Sequence, residues 1–341
     1  MNSEHLIWHD ALDLGVEGKG WDDTVEPYDR LPRKAQSLVP KSVWVLSQSS
    51  TGMCVRFRTG ATAIHARWSL LKKELGEANF NRCADSGLDL YGDDNGTWRW
   101  IAATCRFDSQ TPQVPIVEGL DGVERDYLLY LPLRNKLASL EVGAPADAGL
   151  KRVPPRTRRP LVVYGTSIVH GAYASRCGMV YPSILGRRLQ RPVINLGFSG
   201  SARMEIELAD LLAELEAAAY ILDPFPNMTR ELVDERLDPF VRRLRECRPA
   251  TPIVLVEDFP RTNSWILPEQ ERSVREKCRR CREILDKLGC EGINGLHIIQ
   301  GDRLLGDDNE ASIDGIHPGD LGFTRMADII EPVLNGVLVG Q

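Results

Sequence analysis

Five residues in the second half of the chain have the types that acyl transfer through a serine requires. Ser167 follows the run Leu161-Val-Val-Tyr164, which breaks at Gly165 and turns Thr166 and Ser167 outward. In a parallel sheet that is the ligand edge, where helix N-termini favour developing negative charge. An alcohol is a weak nucleophile until a base takes its proton, and imidazole suits that task because it titrates near neutrality. The imidazole needs a carboxylate on its other nitrogen to fix the tautomer. Asp314 and His317, in Asp-Gly-Ile-His-Pro, have a spacing that lets the carboxylate fold back onto the ring. A tetrahedral intermediate also needs hydrogen-bond donors, each worth about 3 kcal/mol. The N–H groups of Ser167 and Gly200 and the side-chain amide of Asn227 could supply them. An isolated Gly-Thr-Ser is more often a capped turn, so the weight rests on the set.

Within these loops Ser199, in Gly-Phe-Ser-Gly, is the competing nucleophile, but the string is not a Gly-x-Ser-x-Gly elbow. His170 could serve as base or line the pocket; as base it would leave Asp314 and His317 without a role. Asp258, expected on the pocket rim with Glu257, could orient the histidine in place of Asp314. Tyr173, Phe198 and Met228 are candidate pocket walls, with simple packing as the competing reading. Trp21, Tyr28, Asp29 and Arg30 read as a strap on the first half of the chain, or as a segment reaching the site, where aromatic rings stack on sugars.

These loops need elements to hold them at one edge. Leu161–Tyr164, Val193–Leu196, Tyr220–Asp223, Ile253–Val256 and Leu296–Ile299 are apolar runs alternating with helical stretches, such as Met204–Ala217 with Leu208, Leu211, Leu212 and Leu215 on one stripe. Such alternation predicts a parallel sheet with helices on both faces, a flavodoxin-like three-layer α/β domain over 160–341. A last helix is expected from Asp320, with Pro332 disturbing it.

The first half reads differently. Ser42–Leu46, Met53–Arg58, Thr62–Leu70, Gly87–Tyr91, Thr97–Phe107, Asp126–Leu133 and Ala138–Val142 have strand composition, and Asp94-Asn95-Gly96 is a strong hairpin turn. They predict an antiparallel, jelly-roll-like β-sandwich over 1–145. The Ala-, Pro- and Arg-rich stretch 146–159 is expected to be a linker or a connection that hugs the surface.

The chain has 341 residues and a net charge of -6, which argues against a nucleic-acid partner because such proteins concentrate positive charge. No run is long enough to span a bilayer, and the first ten residues lack a basic region followed by an apolar core, so a cytoplasmic protein without a membrane partner is expected. In that setting the eight cysteines are expected to be free thiols. Cys278 and Cys281 form a C-x-x-C, yet with Val274, Leu285 and Leu288 they fall on one helical stripe and read as core rather than metal or redox. No metal or cofactor motif is present: the chain lacks H-E-x-x-H, a P-loop and G-x-G-x-x-G.

The ordered set Ser167, Gly200, Asn227, Asp314 and His317 resembles the blocks of the SGNH (GDSL-type) hydrolases. The first block reads Gly-Thr-Ser-Ile where the family has Gly-Asp-Ser-Leu, and the third has Phe225 and Met228 near its Asn. Gly87-Leu-Asp-Leu-Tyr91 is similar to the G-x-D-L-Y signature of the β domain that precedes a subset of these enzymes. The resemblance implies Ser167 as nucleophile, His317 as base and Asp314 as its partner. It also implies an oxyanion hole of Ser167, Gly200 and Asn227. The activity it implies is hydrolysis of a short acyl ester, acetyl foremost, on a small carbohydrate or glycoside. Two alternatives stay open: an acyltransferase using the same serine, and a carbohydrate-binding protein with an inactive hydrolase domain.

Overall fold

The computed structural model describes residues 5–76 and 80–339. In the second half, the apolar runs form a five-stranded parallel sheet in the order Val193–Gly197, Leu161–Gly165, Ala219–Asp223, Ile253–Val256, Leu296–Ile299. Helices Ile206–Glu214, Arg230–Cys247 and Pro268–Cys290 bury Leu208, Leu212, Phe240 and Leu285 against one face. Helices Tyr181–Arg188 and Asp320–Val337 cover the other with Tyr181, Leu185, Phe323 and Ile330. The expected three-layer architecture is therefore present, with all strand ends that carry the candidate loops at one edge. Pro332 lies inside the last helix, which continues to Val337.

The first half holds two antiparallel sheets. One runs Leu6–Asp10, Leu137–Pro145, Ala63–Leu70, Gln113–Glu118; the other runs Lys151–Arg152, Cys54–Thr59, Arg125–Tyr130, Asp89–Asp94, Thr97–Ala103, with Val16–Glu17 also on Cys54–Thr59. Phe57, Trp68, Leu90, Tyr127, Leu140 and Val142 fill the space between them. Asn95 and Gly96 adopt φ of 53° and 86°, which joins Asp94 to Thr97 as the dipeptide predicts.

Several expectations are corrected. Ser42–Leu46 is not a strand but part of a helix, Lys41–Leu46, entered after Pro40. Short apolar runs do not distinguish the two, and here Val43 and Trp44 both pack on the α/β domain. Gln113–Glu118, outside the expected strands, is an edge strand, where the N–H that Pro115 lacks is not required. Within 146–159, Lys151–Arg152 pairs with Phe57 and Arg58, so this connection lies along the sandwich. Cys83 and Cys105 are joined in a disulfide, so not all eight cysteines are thiols. Cys278 and Cys281 are free and buried. Among the described residues no helix is long and apolar enough to cross a membrane.

The two halves share a core. Tyr91, Leu128 and Tyr130 of the sandwich pack with Tyr181, Ile184 and Leu185 of the α/β half. The Asp89 carboxylate accepts hydrogen bonds from Gly178 N at 2.8 Å and Arg176 Nη1 at 2.9 Å across this boundary. Segment 21–46 crosses over too. Tyr28 lies in the sandwich core while Leu31, Ala35 and Trp44 pack on the α/β half. It is a strap that spans the two halves, with Tyr28, Asp29, Arg30 and Leu31 buried on its inner side and Asp22, Asp23, Arg33 and Lys34 exposed on its outer side.

Candidate active site

Gly165 lets the first parallel strand end abruptly. A Cβ there would lie 2.5 Å from Val169 and 2.6 Å from the Asp223 carbonyl, so only glycine allows the chain to turn directly into the short helix Ser167–His170. Thr166 caps that helix by accepting from Ile168 N, and Gly171 ends it at φ 94°. Ser167 thus stands half-buried at a helix start, at the sheet edge.

Its Oγ lies 2.7 Å from His317 Nε2. On the other side of the ring, Nδ1 lies 2.7 Å from Asp314 Oδ2, while Asp314 Oδ1 accepts from the N–H groups of His317 at 2.8 Å and Ile316 at 3.0 Å. Burial alone would raise the Asp314 carboxyl. The hydrogen bonds from the His317 backbone and ring and from Ile316 outweigh it and hold the group below its ordinary value. An ionised Asp314 accepts a hydrogen bond from Nδ1–H and leaves Nε2 as the acceptor for the Ser167 hydroxyl. The loop is fixed by pairing of Ser312 with Pro318 and by the Gly315 N–H, which donates to Ser312 Oγ.

The two residues expected as further donors follow the next two strand ends. Gly200 is exposed and adopts φ 68°, the left-handed region that favours glycine. Asn227 ends the turn Phe225–Asn227, and its Nδ2 is buried without a partner among the described residues. A buried amide N–H left unpaired costs free energy, and such groups are rare unless something else engages them. The described residues contain no group of three or more His, Cys, Asp or Glu able to hold a metal ion.

The other candidates lie elsewhere. Ser199 Oγ meets His170 Nδ1 at 3.1 Å, and His170 Nε2 faces Ser49 Oγ at 3.2 Å and the Leu133 carbonyl at 3.1 Å. This buried histidine has no carboxylate on either ring nitrogen. Burial first, then Arg30 and Arg134, keeps it well below the usual imidazole range, so it lacks the orienting acid of a triad. Tyr173 does reach the site: its ring centroid is 5.4 Å from that of His317. Phe198 and Met228 do not, being inside the helical core rather than on a wall. Asp258 is not on the rim either. It is buried between Lys277 at 2.6 Å and Arg261 at 2.6 Å.

Three residues support the site, and of these the sequence reading singled out only Arg30. Lys277 donates to the carbonyls of Phe225 at 2.8 Å and Met228 at 3.0 Å, clamping the Asn227 turn onto Asp258. Arg30 donates to the carbonyls of Asn195 and Gly197, at 3.0 and 2.9 Å, and so ties the strap to the strand that leads to Gly200. Phe80 stacks edge-on against Tyr173 at 4.8 Å, bringing the β domain to the cleft. Of the two that it missed, Lys277 left a trace in sequence, as a lone cation on an apolar stripe beside Val274, Cys278 and Cys281.

Residues 158–335 match the GDSL-like lipase/acylhydrolase family. Residues 6–150 match the GxDLY family, described as the N-terminus of SGNH-hydrolase-type esterases. A Bacteroides ovatus protein described as a GDSL-like lipase superposes with a TM-score of 0.92 at 33% identity, over 98% of both chains. A salicylyl-acyltransferase from a tetracycline biosynthetic pathway gives 0.76 at 20% identity, covering 100% of this chain and 99% of that one. A family two carbohydrate esterase from Cellvibrio japonicus gives 0.62 at 13% identity over 98% of each, a likeness of fold. No curated protein matches the chain.

Proposed function

Starting from a chain that belongs to the GDSL-like lipase/acylhydrolase family and acts as a hydrolase on esters, we propose a serine esterase in which Ser167 is the nucleophile. His317 takes the hydroxyl proton through Nε2 as Ser167 Oγ attacks the ester carbonyl. Asp314 holds the ring and stabilises the imidazolium. The oxyanion is received by the N–H groups of Ser167 and Gly200 and by Asn227 Nδ2. Collapse expels the alcohol, which leaves with the proton from His317, and water then repeats the sequence to free the acid. The division into a β-sandwich (1–145), a connection (146–159) and an α/β hydrolase domain (160–341) is part of this reading. So is the substrate, a short-chain and foremost acetyl ester on a carbohydrate, which the GxDLY-type β domain and the fold shared with a carbohydrate esterase support.

The observation that carries the assignment is the relay Ser167–His317–Asp314 with both hydrogen bonds at 2.7 Å. Ser167→Ala and His317→Ala are each expected to lower turnover of p-nitrophenyl acetate by about 10⁴-fold or more, with the fold intact by circular dichroism. Unchanged turnover in Ser167→Ala together with loss in Ser199→Ala would transfer the role to Ser199.

A further inference from the structure

Behind the Asn227 turn, Lys277 is buried with each of its donors engaged. Helix Pro268–Cys290 packs Cys281, Ile284 and Leu285 into the helical core and carries Lys277 inward on the same stripe, one turn before Cys281. Its Nζ donates to the carbonyls of Phe225 at 2.8 Å and Met228 at 3.0 Å and lies 2.6 Å from Asp258 Oδ2. An ammonium has three N–H groups, and these three acceptors match them one for one.

Two of the acceptors bracket Asn227. Pro224 and Pro226 contribute no N–H to the turn. Its own backbone bonds run from Asn227 N to the Pro224 carbonyl and from Met228 N to the Phe225 carbonyl, at 3.0 Å each. Neither fixes the Met228 carbonyl, which Lys277 does. The third acceptor is anchored separately. Asp258 is buried, and its Oδ1 accepts from Phe259 N at 2.9 Å and from Arg261 Nη1 at 2.6 Å, with Arg261 Nη2 on Oδ2 at 3.0 Å. Burial would raise this carboxyl, but Lys277 and then Arg261 outweigh it and hold the group below the ordinary carboxylate range. A fixed carboxylate holds the ammonium, and the ammonium holds the turn. Apolar packing often stabilises a fold as well as a buried ion pair does. What the ammonium adds is direction, because it draws the carbonyls on both sides of Asn227 to one point.

We propose that Lys277 is a positioning residue, which aims the side-chain amide of Asn227 at the oxyanion that develops in the reaction. The inference rests on the oxyanion role given to Asn227 above and adds the group that directs it.

A double-mutant cycle on the full chain separates aiming from mere support. Lys277→Met keeps a long apolar stem and removes the donors, while Arg261 still pairs with Asp258. With p-nitrophenyl acetate it is expected to lower kcat about 10- to 100-fold and to change KM less than about twofold, since a misdirected donor is missed only in the transition state. Added to Asn227→Ala, the same substitution is expected to lower kcat by less than about twofold, because the group it aims is gone. The urea midpoint should fall alike in both backgrounds, so lost stability does not mimic this pattern. Equal losses of kcat in the two backgrounds, or no loss in the wild-type background, overturn the proposal. If Lys277→Met does not fold by circular dichroism, Lys277→Gln, whose donors end one bond short of the ammonium, is taken through the same cycle and judged by the same two criteria. Asp258 is the poorer probe, because Thr262, beside its partner Arg261, donates its N–H to the Gly315 carbonyl in the loop of Asp314 and His317 at 3.1 Å. Asn227→Ala alone is the control. If it lowers kcat while the two Lys277 losses are equal, only the role of Lys277 falls; if it leaves kcat unchanged, the oxyanion role of Asn227 falls and this inference with it.

Discussion

Asn227 differs from the other residues at the site in what it lacks. Ser167, His317 and Asp314 are all hydrogen-bonded at rest, whereas the Asn227 amide is buried with Nδ2 unpaired. An unpaired buried donor is a liability in the resting state and an asset in the transition state, because it bonds only to charge that develops during the reaction. Two consequences should appear in one variant. Asn227→Ala is expected to lower kcat by about 10²–10³-fold, the usual loss of one oxyanion donor. Its unfolding midpoint in urea should match or exceed that of the wild type, since no resting hydrogen bond is lost. A large fall in stability would mean that the amide has a structural partner at rest and is not reserved for the oxyanion.

At the level of elements, the strand ends were legible because each apolar run stops at a glycine, proline or polar residue that cannot continue it. Ser167, Gly200 and Asn227 follow those stops within a few residues and Asp314 and His317 lie in the longer loop after Ile299, so order along the chain translates into position along one edge. What lies behind the loops was not legible. Phe198 and Met228 adjoin Ser199 and Asn227, yet their side chains turn into the core, and once a strand ends its alternation no longer says which way a residue points. Lys277 and Arg30 act on loops 49 and 165 residues away, through hydrogen bonds that have no periodicity. His170 also belongs to this supporting layer, between Ser49 and the Ser199 loop. Its folded form resists protonation, while in the unfolded chain it protonates below about pH 6.5. The unfolded state therefore binds more protons in that window, and His170 costs stability progressively as the pH falls through it. Comparing urea unfolding of the wild type and His170→Gln from pH 8 to pH 5 isolates this effect from the carboxylates common to both. The wild type should lose more stability on acidification than the variant; parallel curves would show that His170 titrates normally.

Across the whole molecule, the Gly-x-Asp-Leu-Tyr stretch is a docking device rather than part of the chemistry. Asp89 is fully buried and binds Arg176 and Gly178 of the α/β half, Tyr91 packs under Arg187 at 4.1 Å, and Leu90 fills the sandwich core. The turn leading into it is held by the Cys83–Cys105 disulfide, and Cys177 of the other half donates to the Cys83 and Gly87 carbonyls there. The cross-link therefore secures the segment on which the halves meet, and with it the position of Phe80 and Arg134 over the cleft. A reducing cytosol would keep such a pair open, so a cytoplasmic location and an intact disulfide pull in opposite directions. Thiol titration of the denatured protein decides between them: six reactive thiols are expected before reduction, matching the six free cysteines, and all eight after it. Closing a loop with a sequence separation of 22 contributes about 3 kcal/mol in the chain-entropy account, so reduction should lower the unfolding free energy by about that amount. Eight thiols before reduction, or no change in stability after it, would show that the halves dock without the cross-link.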